Sequence, residues 1–150
     1  MKKYFRIIPV IALLIILAGC GKIEEIVISE LGDVLGTSVA FSEQLTQIDT
    51  ANIEKRYLLN SKDYSEITAF VGTAAVCDEY VIVKTDATEA MAEKLGRYIE
   101  EKRKTYKKYR PDEVGKLDNA IIETYENAVV MIVTADSENA LDVYKEYLKK

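Results

Sequence analysis

The stretch Cys77-Asp78-Glu79-Tyr80-Val81-Ile82-Val83-Lys84-Thr85-Asp86 decides how this chain is read. Residues 80–85 are mostly β-branched or aromatic, the composition of a strand. Residues 81–83 are apolar without alternation, so the strand reads as covered on both faces and central in its sheet. Upstream, Ile67, Ala69 and Val71 alternate with Thr68, Phe70 and Gly72. Two such runs joined by a short segment of small residues form a hairpin. The adjacent acids Asp78 and Glu79 fall in its turn and read as solvated. Downstream, Asp86 with Glu89 resembles a capping box. A helix over 87–109 follows, with Met91, Leu95, Tyr98, Ile99, Tyr106 and Tyr109 on one stripe. Glu93 with Arg97 and Glu100 with Lys104 form i,i+4 pairs on its other side. Pro111 ends it.

A second hairpin takes residues 120–125 and 128–134 around Glu126-Asn127, where asparagine tolerates the positive φ of a tight turn. Asp136 caps a final helix that buries Ala140, Leu141, Tyr144, Tyr147 and Leu148. Toward the N-terminus, Asp49-Thr50-Ala51-Asn52 starts a short helix through Tyr57, and Asn60-Ser61 makes a turn. Before it, Ile23, Ile26, Val27, Leu31, Val34 and Leu35 recur at helical spacing and stop near Gly36. The opposite side of that helix is acidic, whereas helices that lie on membranes are usually basic, so core packing is expected. Together these elements make an α+β fold. It has a four-stranded sheet from two β-hairpins with a long helix between them, plus N-terminal and C-terminal helices.

The first residues carry an address. Lys2, Lys3 and Arg6 precede an apolar run from Ile7 to Ala18, too short to span a bilayer as a helix. The run ends in Leu17-Ala18-Gly19-Cys20, which resembles the bacterial lipobox. That resemblance implies cleavage before Cys20, lipidation of its thiol and a chain anchored at the outer face of the cell membrane. Residues 1–19 are then a lipoprotein signal peptide and 20–150 a single extracytoplasmic domain. Two or more acyl chains give a stable anchor where one does not. The mature chain has 17 basic residues against 25 acidic, a net charge of −8, which does not suit nucleic acid.

Cysteine arithmetic follows from the anchor. With Cys20 lipidated, Cys77 has no partner and reads as a small buried hydrophobe. The 150 residues contain no histidine and no tryptophan. Nucleophile–histidine pairs and imidazole metal ligands are therefore excluded. Glycine-rich phosphate loops and EF-hand loops do not occur. No metal and no cofactor are expected. Nine tyrosines of the mature chain fall largely on helical stripes and read as core or core edge.

Several segments in order resemble a known family. They are Asp78-Glu79-Tyr80-Val81-Ile82-Val83-Lys84, a long helix, Tyr109-Arg110-Pro111-Asp112-Glu113, Lys116-Leu117-Asp118-Asn119-Ala120, and a hydrophobic strand to Thr134-Ala135-Asp136. This arrangement is similar to domain-of-unknown-function family 4358 (DUF4358), small lipoproteins of Firmicutes. It extends from about Tyr57 to the C-terminus. Ala128 departs from it, standing where an aromatic is expected after the turn; Tyr125 precedes the turn instead. The resemblance implies location and fold, and no chemistry.

Two functional readings remain. The first is a non-catalytic binding or accessory module of the cell envelope, not an enzyme. The second is a small wall hydrolase using a pair of carboxylates, for which the sequence fixes no spacing. One charge feature bears on the first. Residues 100–110 carry a net charge of +4 on an acidic body. Part of this complements the helix dipole. Arg103, Lys107, Lys108 and Arg110 are the candidate contact for an anionic wall polymer, a lipid headgroup or an acidic protein partner.

Overall fold

The computed structural model describes residues 25–150. Its elements are α1 (Ile28–Ser38), β1 (Thr46–Gln47), α2 (Thr50–Tyr57), β2 (Glu66–Val71), β3 (Glu79–Lys84) and α3 (Thr88–Tyr109). A 3-10 turn (Pro111–Glu113), α4 (Val114–Asp118), β4 (Ile121–Tyr125), β5 (Ala128–Val133) and α5 (Ser137–Tyr147) complete it. The sheet is antiparallel throughout, in the order β1-β2-β3-β5-β4. The two hairpins meet through β3 and β5, which pair over six positions from Glu79↔Val133 to Lys84↔Ala128. The run 81–83 expected to be covered on both faces is therefore in the middle of the sheet, beside the fully buried β5.

Period-two alternation divides the core into two. Ala69, Val81, Val83, Val129, Met131 and Val133 face α2, α3 and α4, packing on Ile53, Tyr57, Met91, Leu95, Ile99 and Leu117. Tyr80, Ile82, Ala128, Val130 and Ile132 face α1 and α5, packing on Leu31, Leu35, Ala140, Tyr144 and Tyr147. The molecule is thus three layers, with a helix layer on each face of the sheet. Helix α1 lies on the domain, as its acidic outer side suggests. Among the described residues no helix is long and apolar enough to cross a membrane.

Several expectations need correction. The sheet has five strands, not four; β1 is only two residues long, and its two bonded positions leave no readable pattern. Pro111 does more than end α3. It opens the 3-10 turn from which α4 continues, since proline needs no amide donor at a first helical position. Asp86 does not cap α3: the N-cap is Ala87, and the Thr85 hydroxyl accepts from its amide at 3.1 Å. Asp49 and Asp136 do cap α2 and α5, accepting from Asn52 and Asn139. The positive φ of the second hairpin belongs to Glu126, at 49°, rather than to Asn127. Helix α1 begins at Ile28 and passes Gly36 to reach Ser38; Ile23 lies outside the described residues. The pairs on α3 are Glu93 with Arg97, Glu100 with Arg103 and Glu101 with Lys104; Glu100–Lys104 does not form.

Candidate functional site

The acids Asp78 and Glu79 are not solvated. They are 1% and 0% exposed, because the turn between β2 and β3 closes earlier, over residues 72–76. Gly72 makes this closure sterically feasible: its amide donates to the Asp78 carbonyl at 2.9 Å. A Cβ there would lie 2.6 Å from Val76 Cγ2 and 3.3 Å from that carbonyl. Glu79 therefore enters β3 in phase with Val81 and Val83 and points under α3.

One carboxylate there receives four side chains. Glu79 Oε2 accepts from Arg56 Nε and the Tyr57 hydroxyl, each at 2.9 Å, and from the Tyr98 hydroxyl at 3.0 Å. Its Oε1 accepts from Tyr98 at 2.9 Å and from Lys102 Nζ at 2.5 Å. A carboxylate offers about four lone-pair directions, so these donors saturate it. Burial, reinforced by the Glu79 charge, raises the Tyr98 and Tyr57 hydroxyls well above the ordinary tyrosine range, so both remain donors. Burial works against the Arg56 cation, but Glu79 and then the two tyrosines outweigh it and raise its pKa.

The rings complete the arrangement. Tyr57 and Tyr98 meet edge to face at 4.7 Å between centroids. The Arg56 guanidinium lies 5.9 Å from the Tyr98 centroid, and Lys102 Nζ lies 5.7 Å from Tyr98 and 5.5 Å from Tyr106. Two cations thus share one carboxylate, and Lys102 also donates to the Cys77 carbonyl at 3.1 Å. Arg56 uses Nε on Glu79, not the paired Nη end with which arginine forks a carboxylate or phosphate.

Above this floor runs a groove of about 1220 Å³ between α2, the β2–β3 turn and α3. Tyr98, Lys102 and Tyr106 line it at i,i+4 spacing, with Arg97, Lys104 and Arg110 and the acids Glu100 and Glu101 along its length. Leu58 and Tyr109 also line it, at 83% and 77% exposure. The Tyr109 exposure corrects its place on the buried stripe.

A second network locks the turn. Lys116 Nζ donates to Ser42 Oγ at 2.7 Å, Asp78 Oδ2 at 2.5 Å and Glu113 Oε2 at 2.9 Å. All three ammonium donors are thereby used. The Ser42 amide donates to Asp78 Oδ1, and the Cys77 amide to Glu113 Oε2. Ligand atoms of Cys77, Asp78 and Glu113 lie within 4.8 Å of one another, a spacing that suits a metal ion. The Lys116 ammonium already supplies the cation to both carboxylates. Burial, only partly offset by Lys102, pushes the Cys77 thiol up to about 12, so it is a poor thiolate ligand or nucleophile. The trio fits a structural clasp better than a metal centre.

The four basic residues singled out in the sequence are not brought together. Arg103 turns to α4, bonding Glu100 at 2.5 Å and Asp118 at 3.1 Å. Lys107 and Lys108 are exposed in the last turn of α3. Arg110 alone joins the groove, held by Asp112 and by the Ala75 carbonyl. Sequence reasoning missed Arg56, Tyr57, Glu79, Tyr98 and Lys102 as a set. Two signals could have found it: Glu79 shares the parity of Val81 and Val83, and Tyr98-Lys102-Tyr106 repeats every fourth residue. Leu17, Ala18, Gly19 and Cys20 lie outside the described residues.

A family model described as domain of unknown function (DUF4358) matches residues 37–134, which include the floor of the groove and the Lys116 clasp. No curated protein and no solved structure matches the chain.

Proposed function

The chain belongs to the DUF4358 family, and from that premise we propose that it is a non-catalytic binding module of the bacterial cell envelope. In this reading the lipobox cysteine, Cys20, anchors it at the outer face of a Firmicutes membrane. The groove over Glu79 is its seat and takes an anionic partner. The observation that carries this is an open, tyrosine-lined groove whose lining holds six cations, Arg56, Lys94, Arg97, Lys102, Lys104 and Arg110, against two carboxylates, Glu100 and Glu101. Burial of a charge is costly unless it is paired. The buried cations are matched by Glu79, Asp78 and Glu113, so a partner carboxylate or phosphate would meet the exposed cations of the lining, Arg97 and Lys104. Glu79 fits the role of a positioning group, because its oxygens are occupied by Arg56, Tyr57, Tyr98 and Lys102. A hydrolase would need a carboxyl free to move a proton to or from substrate or water.

The test uses the full chain in detergent, incubated with an isolated wall and membrane fraction. The parent should retain envelope material. Arg97→Glu/Lys104→Glu, which reverses two exposed groove charges, should retain at least about tenfold less, roughly 1.4 kcal/mol. No muropeptides or new reducing ends should appear. Their release by the purified parent would overturn the binding reading in favour of a hydrolase.

A further inference from the structure

We infer that the groove's occupant is an extended, acidic protein segment that also carries apolar side chains. This rests on the groove being the binding seat and names what sits in it. The lining, with more cations than carboxylates, asks for negative charge, and the rim asks for something else. Of the large hydrophobic residues exposed among the described residues, the two most exposed are Leu58 and Tyr109, and both line this groove. A polyol-phosphate polymer has no apolar side chain to cover them. A peptide segment does.

Leu58 adds an independent observation. It ends α2 in the left-handed conformation, with φ 54° and ψ 46°. The Leu58 and Leu59 amides both close onto the Glu54 carbonyl. Glycine is the usual residue at such a helix end, because a Cβ is strained there. Leu59, the next residue, is buried and fixes the turn, whereas the Leu58 side chain projects into solvent. The fold gains little from leucine at this position. An apolar anchor held in a strained conformation beside a groove is explained by what it touches when the groove is filled.

The groove's length fits an extended strand of peptide. From Lys94 to Tyr109, α3 rises about 22 Å, the span of roughly six or seven extended residues. Arg97, Lys104 and Arg110 are spread along that length and outnumber the lining carboxylates Glu100 and Glu101, so acidic residues at intervals would find partners. Surface ion pairs such as Arg97–Glu93 and Lys104–Glu101 hold these cations only weakly and can exchange for a ligand's carboxylates.

The experiment pans a phage-displayed random peptide library on the detergent-solubilised full chain. Enriched peptides are then synthesised and titrated. They should be rich in Asp and Glu, contain Leu, Tyr or Phe, and bind more weakly as salt is added. Leu58→Gly and Tyr109→Ser should each weaken binding about tenfold. Leu58→Gly should melt at the parent temperature or above it, which a merely structural leucine would not do. Selected peptides that are not acidic, that ignore both variants, or a Leu58→Gly protein that melts lower would overturn the inference. Glycerol-phosphate polymer is the second probe. If it alone binds, and is lost in Arg97→Glu/Lys104→Glu, the seat stands and the peptide occupant falls. If neither probe binds, both readings fall.

Discussion

Lys116 shows how much one side chain can hold. Its ammonium lies between Asp78 and Glu113, and both acids are buried. Burial alone would raise the Glu113 carboxyl, but bonds from Lys116 and from Cys77 outweigh it and hold its pKa below the ordinary value. A carboxyl lowered on folding stabilises the native state above its unfolded pKa of about 4.3. That contribution is lost as pH falls through the folded value. Lys116→Met removes the cation and leaves two buried carboxylates uncompensated, at a cost of about 3–5 kcal/mol near neutral pH. Burial then acts on Glu113 without the ammonium to oppose it. The sign of the acid limb should reverse: from pH 7 to pH 5 the variant should gain stability while the parent does not. Urea denaturation at the two pH values checks this, and a variant that also fails to gain would break the argument. None of this network was legible in the sequence. Asp78-Glu79 looks like any acidic turn until the earlier closure at Gly72 is known. Glu79 differed only by sharing the parity of two valines.

At the scale of elements the sequence was far more readable, because hydrophobic period carries the information. Both hairpins, α2, α3 and α5 appear within a residue or two of their expected limits. The failures have physical causes. A two-residue strand such as β1 is too short to show a period, and α4 is a five-residue continuation of a proline-started turn. Tyr109 is the instructive case. Helix α3 has 22 residues and rises about 33 Å, whereas a six-residue strand of the sheet runs about 20 Å. The apolar stripe outlasts the sheet it packs on. Met91, Leu95 and Ile99 are buried, Tyr106 is at the margin, and Tyr109 passes beyond the core to the rim of the groove. The stripe was correct and its last member's surroundings were not. Leu95 sits at the middle of the covered part, fully buried on the face that holds Val81 and Met131. Leu95→Ala should cost about 2–5 kcal/mol in chemical denaturation, the range for a deleted core leucine. A loss under about 0.5 kcal/mol would be that of a surface site and would contradict the packing.

For the whole molecule, the decisive relation is between the two ends of the sheet. Lys84, at the end of β3, bonds Glu25 at 2.6 Å, and the Val27 amide donates to the Tyr147 hydroxyl at 3.1 Å. The start of the described chain, the end of β3 and the end of α5 therefore share one pole. The other pole holds the β2–β3 turn and the end of α3, joined where the Tyr106 hydroxyl donates to the Val76 carbonyl and Arg110 to the Ala75 carbonyl. Ile26 is already buried in the core, and six residue steps from Cys20 span at most about 20 Å. On the proposed anchor, the first pole is held close to the bilayer. Tyr109, Arg110 and the exposed Lys107 and Lys108 then lie at the far pole. That arrangement turns them away from the headgroups of the anchoring membrane. The whole orientation depends on one thiol outside the described residues. Cys20→Ala should leave a precursor of higher mass, retained with its first 19 residues and carrying no acyl label. Metabolic labelling with an alkyne fatty acid, read beside gel mobility, decides it. Label that persists in the variant would detach the anchor from Cys20, and with it the assignment of near and far poles.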